Sequence, residues 1–237
     1  MAKALIILTG ARIWTMKDGT PHPTGFWARE FMEAYQVFTD AGLEVAIATP
    51  GATPPQVDEL SYSIGYNDDD PAFVDRQKAF LADLGETLTK PTNLDDVTPG
   101  EFEVVFIVGG HGPMQDLAVH PSIGDILTAN LDDPTKIVGA VCHGPAGFLS
   151  AHRSDGSWPF KGRRLTGFTN EEETGASFAG NAPWLLEDRL RLAGALFEAG
   201  AAWTPHVVVD GNLVTGQQNV SSGVAATEIV KLLPSSA

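Results

Sequence analysis

Short apolar runs alternate along this chain with longer stretches whose apolar residues recur at helical spacing. Residues 4–8, 44–48, 103–108 and Ile137–Val141 are dominated by Val, Ile, Leu and Ala and are bounded by Gly, Pro and Thr, the pattern of buried strands. Residues 25–41 carry Phe26, Phe31, Met32, Tyr35 and Phe38 near a helical period and stop at Gly42, which predicts a helix. Further helices are predicted over 73–84, 121–131, 185–199 and 222–233, with short strands at 162–168, 207–210 and 213–215. The last two strands flank Gly211 and Asn212, a turn pair. Strands alternating with helices predict an α/β fold, a doubly wound and mainly parallel sheet flanked by helices. Residues 52–70, with Pro54, Pro55 and the run Asp68, Asp69, Asp70, read as a surface insertion. No repeat or long linker divides the rest, so residues 1–237 are expected to form one domain.

The strand at Ile137–Val141 runs into Cys142, His143, Gly144 and Pro145, then into helix-compatible residues. A strand that bends sharply into a helix with a nucleophile at the bend is a nucleophile elbow. A lone Cys in an apolar run is ordinarily a small buried hydrophobe. Here the adjacent His, the Gly-Pro turn and a second loop, Gly109, Gly110, His111, Gly112, favour a working thiol. A helix start behind the sulfur is expected to favour the thiolate. Both loops fall at the carboxyl ends of strands, where sites of open α/β sheets lie. Backbone N–H groups at Gly110 and His111 are expected to serve an oxyanion or bind substrate.

Composition narrows the partners. The 237 residues hold 30 acidic and 15 basic side chains, a net charge of −15, which argues against nucleic-acid backbones and anionic membranes. The single cysteine excludes an intramolecular disulfide and a multi-cysteine zinc site. The apolar run that follows Met1, Ala2 and Lys3 is too short for a signal peptide or a membrane span. A reducing cytoplasm suits an unpaired working thiol. No dinucleotide fingerprint or phosphate loop occurs, and no cofactor or metal is expected.

The elbow from Ala140 to Pro145, the Gly109–Gly112 loop and the stretch Thr24 to Glu30 together resemble the ThiJ/PfpI superfamily. So do Met114 to Leu117, Leu165 to Glu173 and Leu213 to Asn219, in the family's order over nearly the whole chain. That superfamily has the class I glutamine amidotransferase-like fold, a flavodoxin-like sandwich, and the nearest branch is that of glyoxalase III and heat-shock chaperone proteins. The resemblance implies that Cys142 is the nucleophile, His143 the adjacent acid/base, Glu30 the acid beside the sulfur and Gly110 an oxyanion-loop glycine. It places Glu173 as the carboxylate that orients His143, with Glu172 the neighbouring candidate. On their own residue types, Glu30 reads as a solvated charge and the three glutamates as a surface run. The activity implied is conversion of methylglyoxal and related 2-oxoaldehydes to 2-hydroxy acids without a cofactor, by a homodimer. Deglycation of protein or nucleotide adducts and a stress-related holdase function are the alternatives. A glutaminase would carry a His-x-Glu pair far downstream of the cysteine, and His206 is followed by Val207 and Val208.

Overall fold

The computed structural model describes residues 2–234; Met1 of the N-terminal reading lies outside that range. The strands are β1 (Lys3–Ile7), β2 (Ile13–Thr15), β3 (Pro21–Pro23), β4 (Glu44–Thr49), β5 (Thr92–Asn93), β6 (Val104–Ile107), β7 (Ile137–Val141), β8 (Arg164–Leu165), β9 (Leu196–Phe197), β10 (Val207–Asp210) and β11 (Leu213–Gly216). The helices are α1 (Ala28–Asp40), α2 (Pro71–Leu84), α3 (Glu86–Thr89), α4 (Gly112–Gln115), α5 (Pro121–Asp132), α6 (Asn170–Gly175), α7 (Leu186–Ala193) and α8 (Ser222–Leu232). Among the described residues seven strands form the central sheet, in the order β10-β11-β7-β6-β1-β4-β5. All its pairings are parallel except that of β10 with β11. Residues Ala4 to Ile7 and Val104 to Ile107 are fully buried. Continuous apolar strands of this kind belong to a parallel sheet covered on both faces. Helices α1 and α8 pack on each other and on the sheet, and α5 packs on β6 and β7. This is the predicted α/β, flavodoxin-like architecture.

The central strands and the closing elements β10, β11 and α8 match the sequence expectation closely; the elements between residues 144 and 199 differ. The helix predicted over 185–199 ends at Ala193, because Gly194 takes φ +104° in the left-handed region. The chain then turns back so that β9 can pair with β8. Behind the elbow the expected helix is a 3₁₀ stretch, Gly144–Ser150. It is pressed against β6: a Cβ on Gly144 would lie 2.4 Å from the Ile107 carbonyl oxygen. Among the described residues no helix is long and apolar enough to cross a membrane.

Residues 52–70 form a strap of short turns along the surface, with Pro54, Glu59, Ile64, Asp68 and Asp69 exposed and Asp58, Ser61 and Asn67 turned inward and buried. Phe26 and Val57 form a bridge, and Gly25 is so close that a Cβ there would meet the Gln56 carbonyl oxygen at 2.0 Å. The buried polar residues are bonded internally. Asn67 donates to the Ser61 and Ser63 carbonyls at 2.8 and 2.9 Å, and Gln77 donates to Asn67. Asn219, far along the chain, donates to the Tyr66 carbonyl at 2.8 Å and ties down the strap's far end.

Candidate active site

Cys142 sits at the carboxyl end of β7 with φ +59°, a left-handed conformation uncommon for a residue with a Cβ. Bonds on both sides hold it there: its N–H donates to the Gly216 carbonyl at 3.0 Å, and its carbonyl accepts from the Phe168 N–H at 2.8 Å. The predicted elbow is therefore present, and the strain at it is over-determined by the surrounding structure. The thiol is 5% exposed.

The loop after β6 packs beside it. A Cβ on Gly109 would meet the Cys142 Cβ at 2.7 Å and a Glu30 carboxyl oxygen at 2.8 Å. Gly110 has φ +91°, and a Cβ there would lie 2.2 Å from the Gly25 carbonyl oxygen. Only glycines permit this approach. The Gly110 N–H is directed at the sulfur, the placement expected of it.

Glu30, on the first turn of α1, is fully buried instead of solvated. Its Oε2 accepts the Gly109 N–H at 2.7 Å, while Oε1 has no nitrogen or oxygen partner. Burial pushes its pKa up to about 8, against the opposing effects of the Gly109 N–H and Cys142. Burial also pushes the Cys142 thiol well above its ordinary range, with the Glu30 carboxylate the second cause and the Gly110 N–H opposing both. This overturns the expected helix-favoured thiolate: a short 3₁₀ stretch offers little dipole, and desolvation outweighs it. Below pH 8 Glu30 keeps its proton, so the carboxylate's repulsion of a thiolate is absent there.

On the other side, the His143 Nδ1 lies 3.4 Å from the Cys142 Sγ, and its Nε2 lies 2.7 Å from Glu173 Oε2. Glu173 Oε1 lies 2.9 Å from the His111 Nε2. One carboxylate thus bridges two histidines whose ring centroids are 4.4 Å apart. Burial works to raise the Glu173 pKa, but the two histidines overcome it and the group stays ionised far below the usual carboxylate range. With both Nε2 atoms donating to Glu173, the His143 Nδ1 faces the sulfur as an acceptor. Burial, followed by the neighbouring His143, pushes the His111 pKa down. His111 stacks on Trp14 at 4.7 Å and 12°. It is a bonded partner of Glu173 as well as a cavity residue, a pairing that nothing in its local sequence signals.

The glutamate run resolves on α6. Glu171 is exposed, Glu173 points to the histidines, and the fully buried Glu172 points elsewhere. Glu172 forms a capping box with Thr169. Its Oε1 accepts from the Trp203 N–H at 2.9 Å and from Gln217 Nε2 at 3.0 Å. The cavity over Cys142 is walled by Trp27, Leu60, Tyr66, Phe168, Phe178 and Trp203. Leu60 and Tyr66 come from the strap and Trp203 from the loop before β10. Among the described residues two groups could hold a metal ion: His22, Asp58 and His111, and His111, His143 and Glu173, each with ligand atoms within 4.8 Å of one another. Imidazole with carboxylate suits zinc and its neighbours.

Comparison with known proteins places this geometry. The chain is 26% identical to glyoxalase 3 of Candida albicans over 238 residues, 97% of this chain and 98% of that protein. The crystal structure of that glyoxalase III superposes with a TM-score of 0.81 at 25% identity, covering 99% and 98% of the two chains. It is 31% identical to the glutathione-independent glyoxalase hsp3101 of Schizosaccharomyces pombe, covering 88% of this chain and 87% of that one. The protein/nucleic acid deglycase HchA of Staphylococcus aureus is 27% identical, over 97% of this chain and 78% of that one. The DJ-1/PfpI family model matches residues 23–232, and the chain therefore belongs to the DJ-1/PfpI family.

Proposed function

We propose that the protein is a cofactor-independent glyoxalase III-like enzyme, with Cys142 as nucleophile and methylglyoxal-type 2-oxoaldehydes as substrates. The observation that carries the reading is the buried sulfur with His143 Nδ1 3.4 Å away, that ring bonded in turn to Glu173 at 2.7 Å, and the fully buried Glu30 beside it. Relatives that span nearly the whole chain and are named glyoxalases support it.

The reaction balances within these residues. His143 Nδ1 takes the thiol proton as the sulfur bonds to the aldehyde carbon, and Glu30 gives its proton to the aldehyde oxygen, leaving a hemithioacetal. The Glu30 carboxylate then removes the proton on that carbon while His143 protonates the neighbouring carbonyl oxygen, giving an enediol. Glu30 returns its proton to the second carbon as His143 takes one from the first oxygen, which leaves a thioester of the 2-hydroxy acid. Water attacks the thioester, its proton passes to Glu30, and His143 reprotonates the departing sulfur. The aldehyde carbon is oxidised and the ketone carbon reduced. A pKa near neutrality suits a group that both gives and takes a proton.

The test is lactate formation from methylglyoxal by purified protein. Wild-type protein produces lactate and Cys142→Ser does not; lactate formation that survives Cys142→Ser overturns the reading. The likeness to a deglycase favours a second reading, removal of early glyoxal adducts by the same thiol. Aldehyde-treated peptide or nucleotide as substrate separates the two. A holdase function would survive Cys142→Ser. The unpaired thiol also supports a cytoplasmic setting.

A further inference from the structure

We propose that Trp203 sets the size limit of the substrate, admitting small neutral 2-oxoaldehydes and holding back aryl and macromolecule-borne ones. The proposal deepens the function above and rests on it for the substrate's identity.

Of the residues that wall the cavity, Trp203 is the exposed one, with 41% of its surface accessible. It therefore stands at the mouth. Its backbone has φ +61°, the left-handed region that residues with a Cβ rarely occupy. Such a conformation persists only where surrounding structure enforces it. The enforcing group is Glu172, a fully buried carboxylate with no part in the chemistry above. It accepts the Trp203 N–H and the Gln217 amide on one oxygen, and the Thr169 N–H and hydroxyl on the other. The indole then leans edge-on to Phe168 at 5.7 Å and tilts against Tyr66 at 5.9 Å. Tyr66 is itself fixed from behind by Asn219.

A bulky ring in an unfavourable backbone geometry, clamped by a dedicated buried acid over a nucleophile, is built to narrow an opening. The anchoring Glu172 and the His143-orienting Glu173 are neighbours on α6, so mouth and base share one element. Among the described residues no Lys or Arg lines the cavity, which suits a neutral substrate.

The test compares kcat/KM for phenylglyoxal and methylglyoxal in wild type, Trp203→Ala and Trp203→Gly, the glycine variant keeping the left-handed turn without strain. The expected result is a rise of about tenfold or more in the phenylglyoxal to methylglyoxal ratio, the scale of pocket-size discrimination. A second readout needs no turnover: alkylation of the sole thiol, Cys142, by iodoacetamide and by N-phenylmaleimide. Both variants should speed the bulky reagent about tenfold relative to the small one. If neither ratio moves, Trp203 is not the size limit, even where methylglyoxal turnover is normal. If wild type lacks glyoxalase activity but the alkylation ratio shifts, the function above fails and the role of Trp203 stands.

Discussion

Two buried carboxyl groups serve the site, Glu30 beside the Cys142 sulfur and Glu173 across the His143 ring from it, and their surroundings drive them to opposite states. Glu30 is fully buried and receives one backbone N–H, so desolvation wins and its pKa rises to about 8. Glu173 is 2% exposed, scarcely less buried, yet each of its oxygens meets a histidine ring nitrogen, and it stays ionised far below the usual range. Burial alone therefore does not decide the protonation of an acid; the donors supplied to it do. A pair of acids pushed apart in this way marks the division of labour in a site. In the proposed mechanism Glu30 carries a proton and Glu173 holds His143 in one tautomer.

The largest effect is expected where the link between the two sides is cut. His143→Ala should lower methylglyoxal turnover by at least about a hundredfold, the usual contribution of an acid/base group. Normal turnover in that variant would leave Glu173 without a role. Glu30→Gln should also cost about a hundredfold, since the amide keeps the shape but cannot carry a proton. Glu173→Gln should cost about tenfold or more, the scale for a lost orienting partner. Thermal unfolding sharpens the contrast. At pH 8 Glu30→Gln should raise Tm, because it removes a costly buried charge, whereas Glu173→Gln should lower it.

The two acids also act in separate pH windows. Glu30 has a folded pKa near 8 against an ordinary 4.5, so the folded protein holds a proton that the unfolded chain loses between those values. Its contribution to stability is complete below pH 4.5 and lost as pH rises through 8. Glu173, shifted down, contributes above the usual carboxylate range and loses that contribution as pH falls towards its folded value. Tm of wild type should therefore fall between pH 4.5 and 8, and Glu30→Gln should flatten that slope. An unchanged slope would place the titration elsewhere. The smallest effect belongs to Glu171→Gln, which should change neither turnover nor stability beyond about 0.5 kcal/mol, as an exposed charge does.

The central strands and the elbow were legible because their signals are local: uninterrupted Val and Ile runs, and a Cys followed by His, Gly and Pro. The partners of Glu173 were half legible. The resemblance pointed to the Glu173–His143 pair, but its second bond, to His111, joins residues 62 apart in the chain, and no periodicity carries that. The strap at 52–70 lies largely at the surface, as its polar, turn-rich sequence suggests, but its inward-facing residues carried no signal. Asp58, Ser61 and Asn67 look solvent-facing until distant partners such as Gln77 bond them, and Asn219 ties down the neighbouring Tyr66. Trp203 left no signal at all, since its place over the cavity depends on Glu172, on a different element.

The central claim is that Glu30, beside Cys142, is protonated at neutral pH while Glu173, on the far side of the His143 ring, is not. Infrared difference spectroscopy of wild type against Glu30→Gln tests it most directly. The account predicts a protonated-carboxyl band at pH 6 that is absent from Glu30→Gln, persists in Glu173→Gln, and titrates away near pH 8. A wild-type spectrum in which no such band is assigned to Glu30, or in which it disappears near 4.5, would contradict the account.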